Sequence, residues 1–469
     1  MSETKGFIEH LLSLVPQAHS AAVQEAASNL VLDGVAVAAL GSCEPGPRIL
    51  GDMAVATEAA PVATVIGRRA RVSGPEAARA NGASMHVLDY EPMWNPANHS
   101  LSTVLPALFA LIEMRARGAA AARPDAPPLS GQSLLAALAL GIETQARLRI
   151  ASGQYEPGHL TFHPPGVVGP LGSAVACGYL LGLDADALVN ALGIAASRAG
   201  AIQANAGSMT KALHCGQAAA SGLESALMAS RGFTADADAL APPRGYAAAF
   251  FGGSYSTQLL TAPAPTMHVV DPGPATKFYP SQYGTHFVIT AALAAREKMP
   301  PRATIRSVRI IGPYMPYVDR PNPRTGLAGK FSFQYTAAAA LLDGRVGVDS
   351  FTDERRFASD MVALLPRFII DGDPKRSGRW HEMRVDIEVE LEDGRKLDGM
   401  CDGPPGSWGH RAEPERLVNK ARDCLRHVLP AARADGLIAT ARRVGKLDGD
   451  GVLAFIGDLA FDAPTEGHA

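Results

Sequence analysis

Phe162-His163-Pro164-Pro165-Gly166-Val167-Val168-Gly169-Pro170-Leu171-Gly172 and, about forty residues on, Asn205-Ala206-Gly207-Ser208-Met209-Thr210-Lys211-Ala212-Leu213-His214-Cys215-Gly216 each set an ionisable side chain at the mouth of an apolar helix rich in alanine and glycine. Helices that are apolar on most faces bury themselves against other helices, so the two stretches point to a mainly helical protein. Lys211 is the odder feature. The helix that carries it starts near Ser208, and a cation in a first turn opposes the helix dipole by roughly 0.3–1 kcal/mol. A lysine, a histidine and free backbone N–H groups at one helix start describe a place where a carboxylate or phosphate settles.

Composition points the same way. Hydrophobic residues make up 47% of the chain but aromatics only 6%, so the core is built from Ala, Leu and Val, as close-packed helices allow. At 469 residues the chain exceeds what one compact core usually supports, and two domains are expected. With 43 basic and 46 acidic residues the net charge is −3, which gives no electrostatic case for nucleic acid or an anionic membrane surface. The expected partner is a small molecule. Cys43, Cys177, Cys215, Cys401 and Cys424 are scattered, with no C-x-x-C pair; neither a disulfide framework nor a zinc site is indicated, and reduced thiols in the cytoplasm are expected. Acids within the first ten residues argue against an export signal. The apolar runs 101–114 and 189–204 are broken by Pro106, or by Asn190 and Arg198, before reaching the ~20 residues that a membrane span needs.

From Phe7 to about Ala262 apolar residues recur at three- and four-residue spacing, the mark of helices. Ser73-Gly74-Pro75-Glu76 predicts a capped helix start, with a stop at Gly82. A loop is expected over 118–131, followed by helices over 134–147, 173–181, 186–198 and 209–231. Near Asp271-Pro272-Gly273-Pro274 proline clusters replace alanine runs, which marks a boundary. Beyond it, 304–311 has β-branched strand character, and 383–391 alternates apolar with charged before Asp393-Gly394, a hairpin signal. Residues 414–428 return to a charged amphipathic helix expected to pack on the first domain. The chain thus reads as a large all-helical domain, 1–268 with 410–469, and a smaller inserted α+β domain, 269–409.

Dinucleotide and Walker glycine motifs, the G-x-S-x-G elbow and H-E-x-x-H are missing. His159 and His163 have the spacing of a helical metal pair, but Pro164 and Pro165 are expected to end any helix there. The segment 86–99 gathers His86, Asp89, Tyr90, Glu91 and His99 before the next helix, a grouping suited to acid–base work; the alternative is Asp89 as a helix cap and His99 as an ordinary core histidine. Lys211 and His214, three apart, share a helix face, and a solvated helix start is their plain reading. Two loop-rich segments beside the boundary, 277–286 and 314–321, suit pocket formation, against ordinary turns with aromatic packing.

The chain resembles the MmgE/PrpD family, which includes 2-methylcitrate dehydratase, iminodisuccinate epimerase and cis-aconitate decarboxylase. The resemblance rests on Phe162-His163-Pro164-Pro165 with Gly169 and Gly172, Gly193-Ile194-Ala195-Ala196-Ser197, Thr210-Lys211-Ala212-Leu213-His214 with Gly216, Lys330-Phe331-Ser332-Phe333-Gln334-Tyr335 and Leu342-Asp343-Gly344. Ala204-Asn205-Ala206 and Tyr317-Val318-Asp319-Arg320-Pro321 bring it nearest to the decarboxylase branch. The resemblance implies a helical domain formed by both chain ends, an α+β lid, a homodimer, a positively charged pocket between the domains, and no metal or organic cofactor. It places Asp89, His99, His163, Lys211 and Tyr317 in the catalytic pocket, with Met93, His214, Lys277 and Gln282 beside the substrate. Met93 stands where the branch has a threonine and Gln282 where it has a histidine; the first removes a hydrogen-bond donor and the second cannot exchange a proton in the usual range.

The implied activity is a cofactor-independent lyase reaction on a small di- or tricarboxylic acid, of the cis-aconitate decarboxylase kind. A 2-methylcitrate dehydratase-like hydro-lyase and an iminodisuccinate-type epimerase would use the same parts. A member that binds carboxylates without turnover is a further alternative, motivated by Met93 and Gln282.

Overall fold

The computed structural model describes residues 2–156, 160–241, 243–408, 410 and 413–464. Helix accounts for 55% of the chain and strand for 9%, which makes the protein mainly α with a small α+β region. Long helices over Ala21–Gly41, Gly74–His86, Leu101–Ala116, Gly131–Ala151, Pro164–Leu181 and Met209–Ser230 form one bundle. Its hydrophobic core extends from Phe7 to Val269 and takes in Val418 to Phe461 from the end of the chain. The amphipathic helix Pro414–Arg426 returns to this core, against Ala21–Gly41.

A second core spans Ala275 to Cys401 and reaches across to Met93. It is built on a four-stranded sheet in the order Phe368–Asp373, Ile305–Pro313, Val385–Leu391, Lys396–Cys401. The first pair is parallel and the others antiparallel. Val385, Ile387, Val389 and Leu391 are buried while the residues between them are not, as one covered sheet face requires. Helices Tyr283–Glu297 and Phe333–Asp343 lie against it.

Two expectations about helix ends are corrected. Pro164 and Pro165 do not end a helix but open the one over Pro164–Leu181, with His163 as its N-cap; proline fits a first turn because the N–H it lacks has no partner there. Gly82 does not stop its helix, which runs on to His86. A Cβ at Gly82 would lie 2.7 Å from the Gly216 Cα, and one at Gly216 would lie 2.1 Å from the Arg79 carbonyl oxygen. The two glycines mark a crossing of two helices in near backbone contact, and that crossing brings Lys211 over the end of the helix that carries His86.

Ala21–Gly41 and Pro164–Leu181 have the length and hydropathy to cross a membrane, yet most of each is buried inside the protein. His159 lies outside the described residues, so the expected His159–His163 pairing has no structural counterpart to report. All five cysteines are free and buried.

Candidate active site

Between the two cores a cleft of about 60 Å³ is lined by Asp89, Met93, His99, His163, Lys211, Gln282 and Tyr317, together with Leu160, Phe331 and Trp380. A larger groove, of about 780 Å³, runs along Ile194, Leu227, Met228 and Phe233 and carries the Arg198–Glu224 ion pair, Arg231 and Asp236, with no histidine or lysine among its lining residues. The candidate site is the smaller one, which gathers Asp89, His99, His163 and Lys211.

The segment after helix Gly74–His86 supplies the acids. The chain turns at once, with Asp89 N–H donating to the His86 carbonyl at 2.8 Å and Asp89 in the left-handed region at φ 49°. Aspartate is among the few side chains that tolerate this conformation. Met93 then pairs in antiparallel fashion with Ala275 of the second core, and the chain reaches His99 just before helix Leu101–Ala116. His163 caps its helix from outside, its N–H bonded to the Ala201 carbonyl at 2.9 Å.

Asp89 is at the centre. One carboxylate oxygen takes a hydrogen bond from Lys211 Nζ at 2.8 Å and the other takes one from Lys277 Nζ. The first-turn cation at Lys211 therefore has a buried counter-ion, and the plain reading of a solvated helix start does not hold: Lys211 is 9% exposed. Burial alone would raise the Asp89 pKa, but Lys211 and Lys277 together hold it well below the usual carboxylate range. Lys211 Nζ also donates to His86 Nε2 at 2.9 Å, so the proton on His86 Nδ1 faces Glu91 Oε1, 2.6 Å away. Burial, opposed by hydrogen bonds from Ser102, pushes Glu91 up to about 8. Burial lowers Lys277 to about 8 despite the Asp89 carboxylate beside it.

Four imidazoles line one side, edge-on or tilted to one another. Ring centroids lie 4.7 Å apart for His86 and His99, 5.4 Å for His86 and His163, and 5.3 Å for His163 and His214. Burial, reinforced by the neighbouring ammonium groups, depresses His86, His99 and His163 well below the ordinary histidine value, and His214 to about 4. They are neutral in the unliganded protein. His99 Nδ1 and His163 Nε2 are buried without a hydrogen-bond partner, a costly condition that a polar ligand would relieve. His99 Nε2 lies 3.8 Å from Asp89.

From the second core, Tyr317 OH accepts a hydrogen bond from Gln282 Nε2 at 3.1 Å, while Gln282 Oε1 caps helix Tyr283–Glu297 by accepting from Thr285 N–H. Met93 is buried in the second core. Lys277 and His214 do not line the cleft. Lys277 lies fully buried behind Asp89, and His214 stands behind His163, with 3.3 Å between their Nδ1 atoms. Sequence reading passed over His86 and Glu91 as site members. His86 and Glu91 stood in the segment singled out, and their three- and two-residue offsets from Asp89 were the available signal.

Donor atoms of His86, Glu91 and His99 lie within 4.8 Å of one another, as do those of His86, His163 and Cys215. A divalent ion would have to displace the bonds that Glu91 and Lys211 make to His86 and sit beside two ammonium groups. The donor geometry suits a metal; the surrounding charge opposes one.

Residues 8–258 match the model of the MmgE/PrpD N-terminal domain and residues 279–444 that of the MmgE/PrpD C-terminal domain. The chain is 34% identical to the cis-aconitate decarboxylases of mouse and human, over 80% of this chain and 77% and 78% of theirs. It is 26% identical to the cis-aconitate decarboxylase-like protein oryM of Aspergillus oryzae, over 84% of both chains. With both domain models matched and the relatives covered along most of their length, the chain belongs to the MmgE/PrpD family and is an enzyme of the lyase class.

Proposed function

We propose that the protein removes CO₂ from cis-aconitate, or from a tricarboxylate closely like it, without a cofactor and with an itaconate-type product. The observation that carries this reading is Lys211 on the wall of a cleft that His99 and His163 also line, with Asp89 shared between Lys211 and the Lys277 behind it. Such a site has positive charge to spare. Each charge-assisted hydrogen bond to a substrate carboxylate contributes about 1.5–3 kcal/mol, and a trianion offers several.

The bound trianion also sets the protonation state that the reaction needs. Its charge raises the pKa of His99 and His163, which line the cleft, so that one of them takes up a proton. The bond from the methylene carbon to its carboxylate then breaks. The electron pair moves through the double bond into the remaining conjugated carboxylate, and CO₂ leaves. The histidinium delivers its proton to the former vinylic carbon, giving a methylene-succinate. Tyr317, held by Gln282, donates to the carboxylate on which charge builds. The second core acts as a lid over residues 269–409, because the closed cleft leaves too little room for a tricarboxylate to pass. The working form is a homodimer in the reducing cytoplasm, the state that the family resemblance and the free thiols support.

Proton NMR of the purified protein with cis-aconitate, 2-methylcitrate and iminodisuccinate tests the assignment. Itaconate from the first supports it, with turnover falling on the order of 10²-fold or more in His99→Ala. Hydration or dehydration of the acids would move the protein to the dehydratase branch, interconversion of iminodisuccinate epimers to the epimerases, and silence to a binding role.

A further inference from the structure

Leu88, Asp89 and Tyr90 give their three consecutive carbonyl oxygens to three different buried lysines. Lys330 Nζ reaches Leu88 O at 3.2 Å, Lys277 Nζ reaches Asp89 O at 3.0 Å, and Lys420 Nζ reaches Tyr90 O at 2.7 Å. They come from three parts of the chain: Lys277 precedes helix Tyr283–Glu297, Lys330 caps the short helix Gly326–Gly329, and Lys420 sits on the returning helix Pro414–Arg426. Lys330 and Lys420 are each 4% exposed.

What Lys330 lacks decides its role. Among the described residues no carboxylate lies within ion-pairing distance of it; its ammonium instead bonds the Pro280 carbonyl at 3.0 Å as well as Leu88, and faces the Phe351 ring at 4.6 Å. A buried ammonium with no acid in contact is expensive, and Glu44 and Asp89 offset that cost only from a distance. Here it joins the 88–90 turn to the 277–282 loop. Lys420 holds the turn through the Tyr90 carbonyl, paired with Asp33 at 2.7 Å and lying over the Tyr90 ring at 4.2 Å. Between the two clamps stands Asp89, whose left-handed backbone and doubly bonded carboxylate depend on how the turn is held.

We infer that Lys330 and Lys420 are positioning residues: by clamping the carbonyls on either side of Asp89 they fix its carboxylate between Lys211 and Lys277. Neither lines the cleft, so they act through Asp89.

A double-mutant cycle tests this. Lys330→Met and Lys420→Met are each made in the native protein and in Asp89→Asn, and turnover of cis-aconitate and calorimetric binding of citrate are measured beside thermal melting. The inference rests on the family's lyase chemistry, and citrate binding reads the clamp even where cis-aconitate is not turned over. Each lysine variant is expected to lower kcat at least tenfold and to weaken citrate binding in the native background, with little further effect once Asp89 is already Asn. Losses of equal size in both backgrounds would mean that the lysines only support the fold, and would overturn the inference. So would native kcat and native citrate affinity in both variants. Lys330→Gln, which keeps an N–H donor, carries the same cycle where the methionine variant melts too low to assay.

Discussion

Glu143 and Asp89 are both fully buried carboxylates, and their surroundings differ in one respect that separates structure from function. Glu143 bonds Arg147 at 2.6 Å through one oxygen and the N–H and ring of His268 at 2.7 and 3.0 Å through the other, while Arg147 goes on to the carbonyls of Leu260 and Ala262. Every group in that network has its partner, and one acid meets one permanent base. Around Asp89 stand Lys211, Lys277 and Lys330, a second acid, Glu91, that burial pushes up to about 8, and histidines with unpartnered nitrogens. The first network is closed and holds the chain crossing between the two cores. The second is left open, with positive charge and unpaired nitrogens for which a polyanion is the complement.

Breaking the closed network should cost stability and spare chemistry. Arg147→Met leaves a buried carboxylate half-compensated, and about 3–5 kcal/mol of unfolding free energy should be lost, with kcat of the folded fraction within about twofold of native; denaturant titration alongside turnover checks both halves. Lys211→Met should do the reverse. Asp89 keeps the Lys277 ammonium where Glu143 would keep only His268, so the melting temperature should fall less than in Arg147→Met, while citrate affinity measured by calorimetry should fall by about 1.5–3 kcal/mol, the value of one charge-assisted contact. Equal stability losses in the two variants would erase the distinction.

The open site should also respond to pH in its own way. His86, His99 and His163 have folded-state pKa values below their unfolded ones, so their contribution is complete above about pH 6.5 and is lost as pH falls through the lowered values. Unliganded protein should therefore lose about 1.4 kcal/mol per pH unit for each titrating histidine below that point. Citrate should oppose the loss, because a trianion raises those same pKa values; unfolding curves with and without citrate between pH 7 and 5 measure it. The smallest effect expected is that of Gln282→His. The glutamine only steadies Tyr317 and caps a helix, so maximal turnover should change less than about tenfold while the pH–rate profile gains an inflection from the new titrating group.

Much of this was legible beforehand, for identifiable reasons. The helical class followed from alanine-rich periodicity, and Lys211 stood out because a first-turn cation is a local anomaly. Asp89, His99 and His163 stood out locally as titratable groups at helix mouths, and the family resemblance placed them in one pocket. What stayed hidden was burial and long-range pairing. Lys330 reads as any polar residue in its motif, and its contact with Leu88 spans 242 positions. Lys420 sits in a helix whose charged pattern suggests solvent exposure, yet it is buried against Asp33. Gly82 was taken for a stop because glycine weakens helices; its actual role, near backbone contact with Gly216, is a property of two helices at once.

The most direct test of the central claim is the turnover of cis-aconitate by metal-free protein in D₂O, followed by proton NMR. The account predicts itaconate carrying one deuterium, on the saturated methylene carbon, with its appearance abolished in His99→Ala and sharply slowed in Lys211→Met. Itaconate labelled on the vinylic carbon, or full activity in both variants, would contradict the assignment of this cleft as the site of decarboxylation and proton delivery.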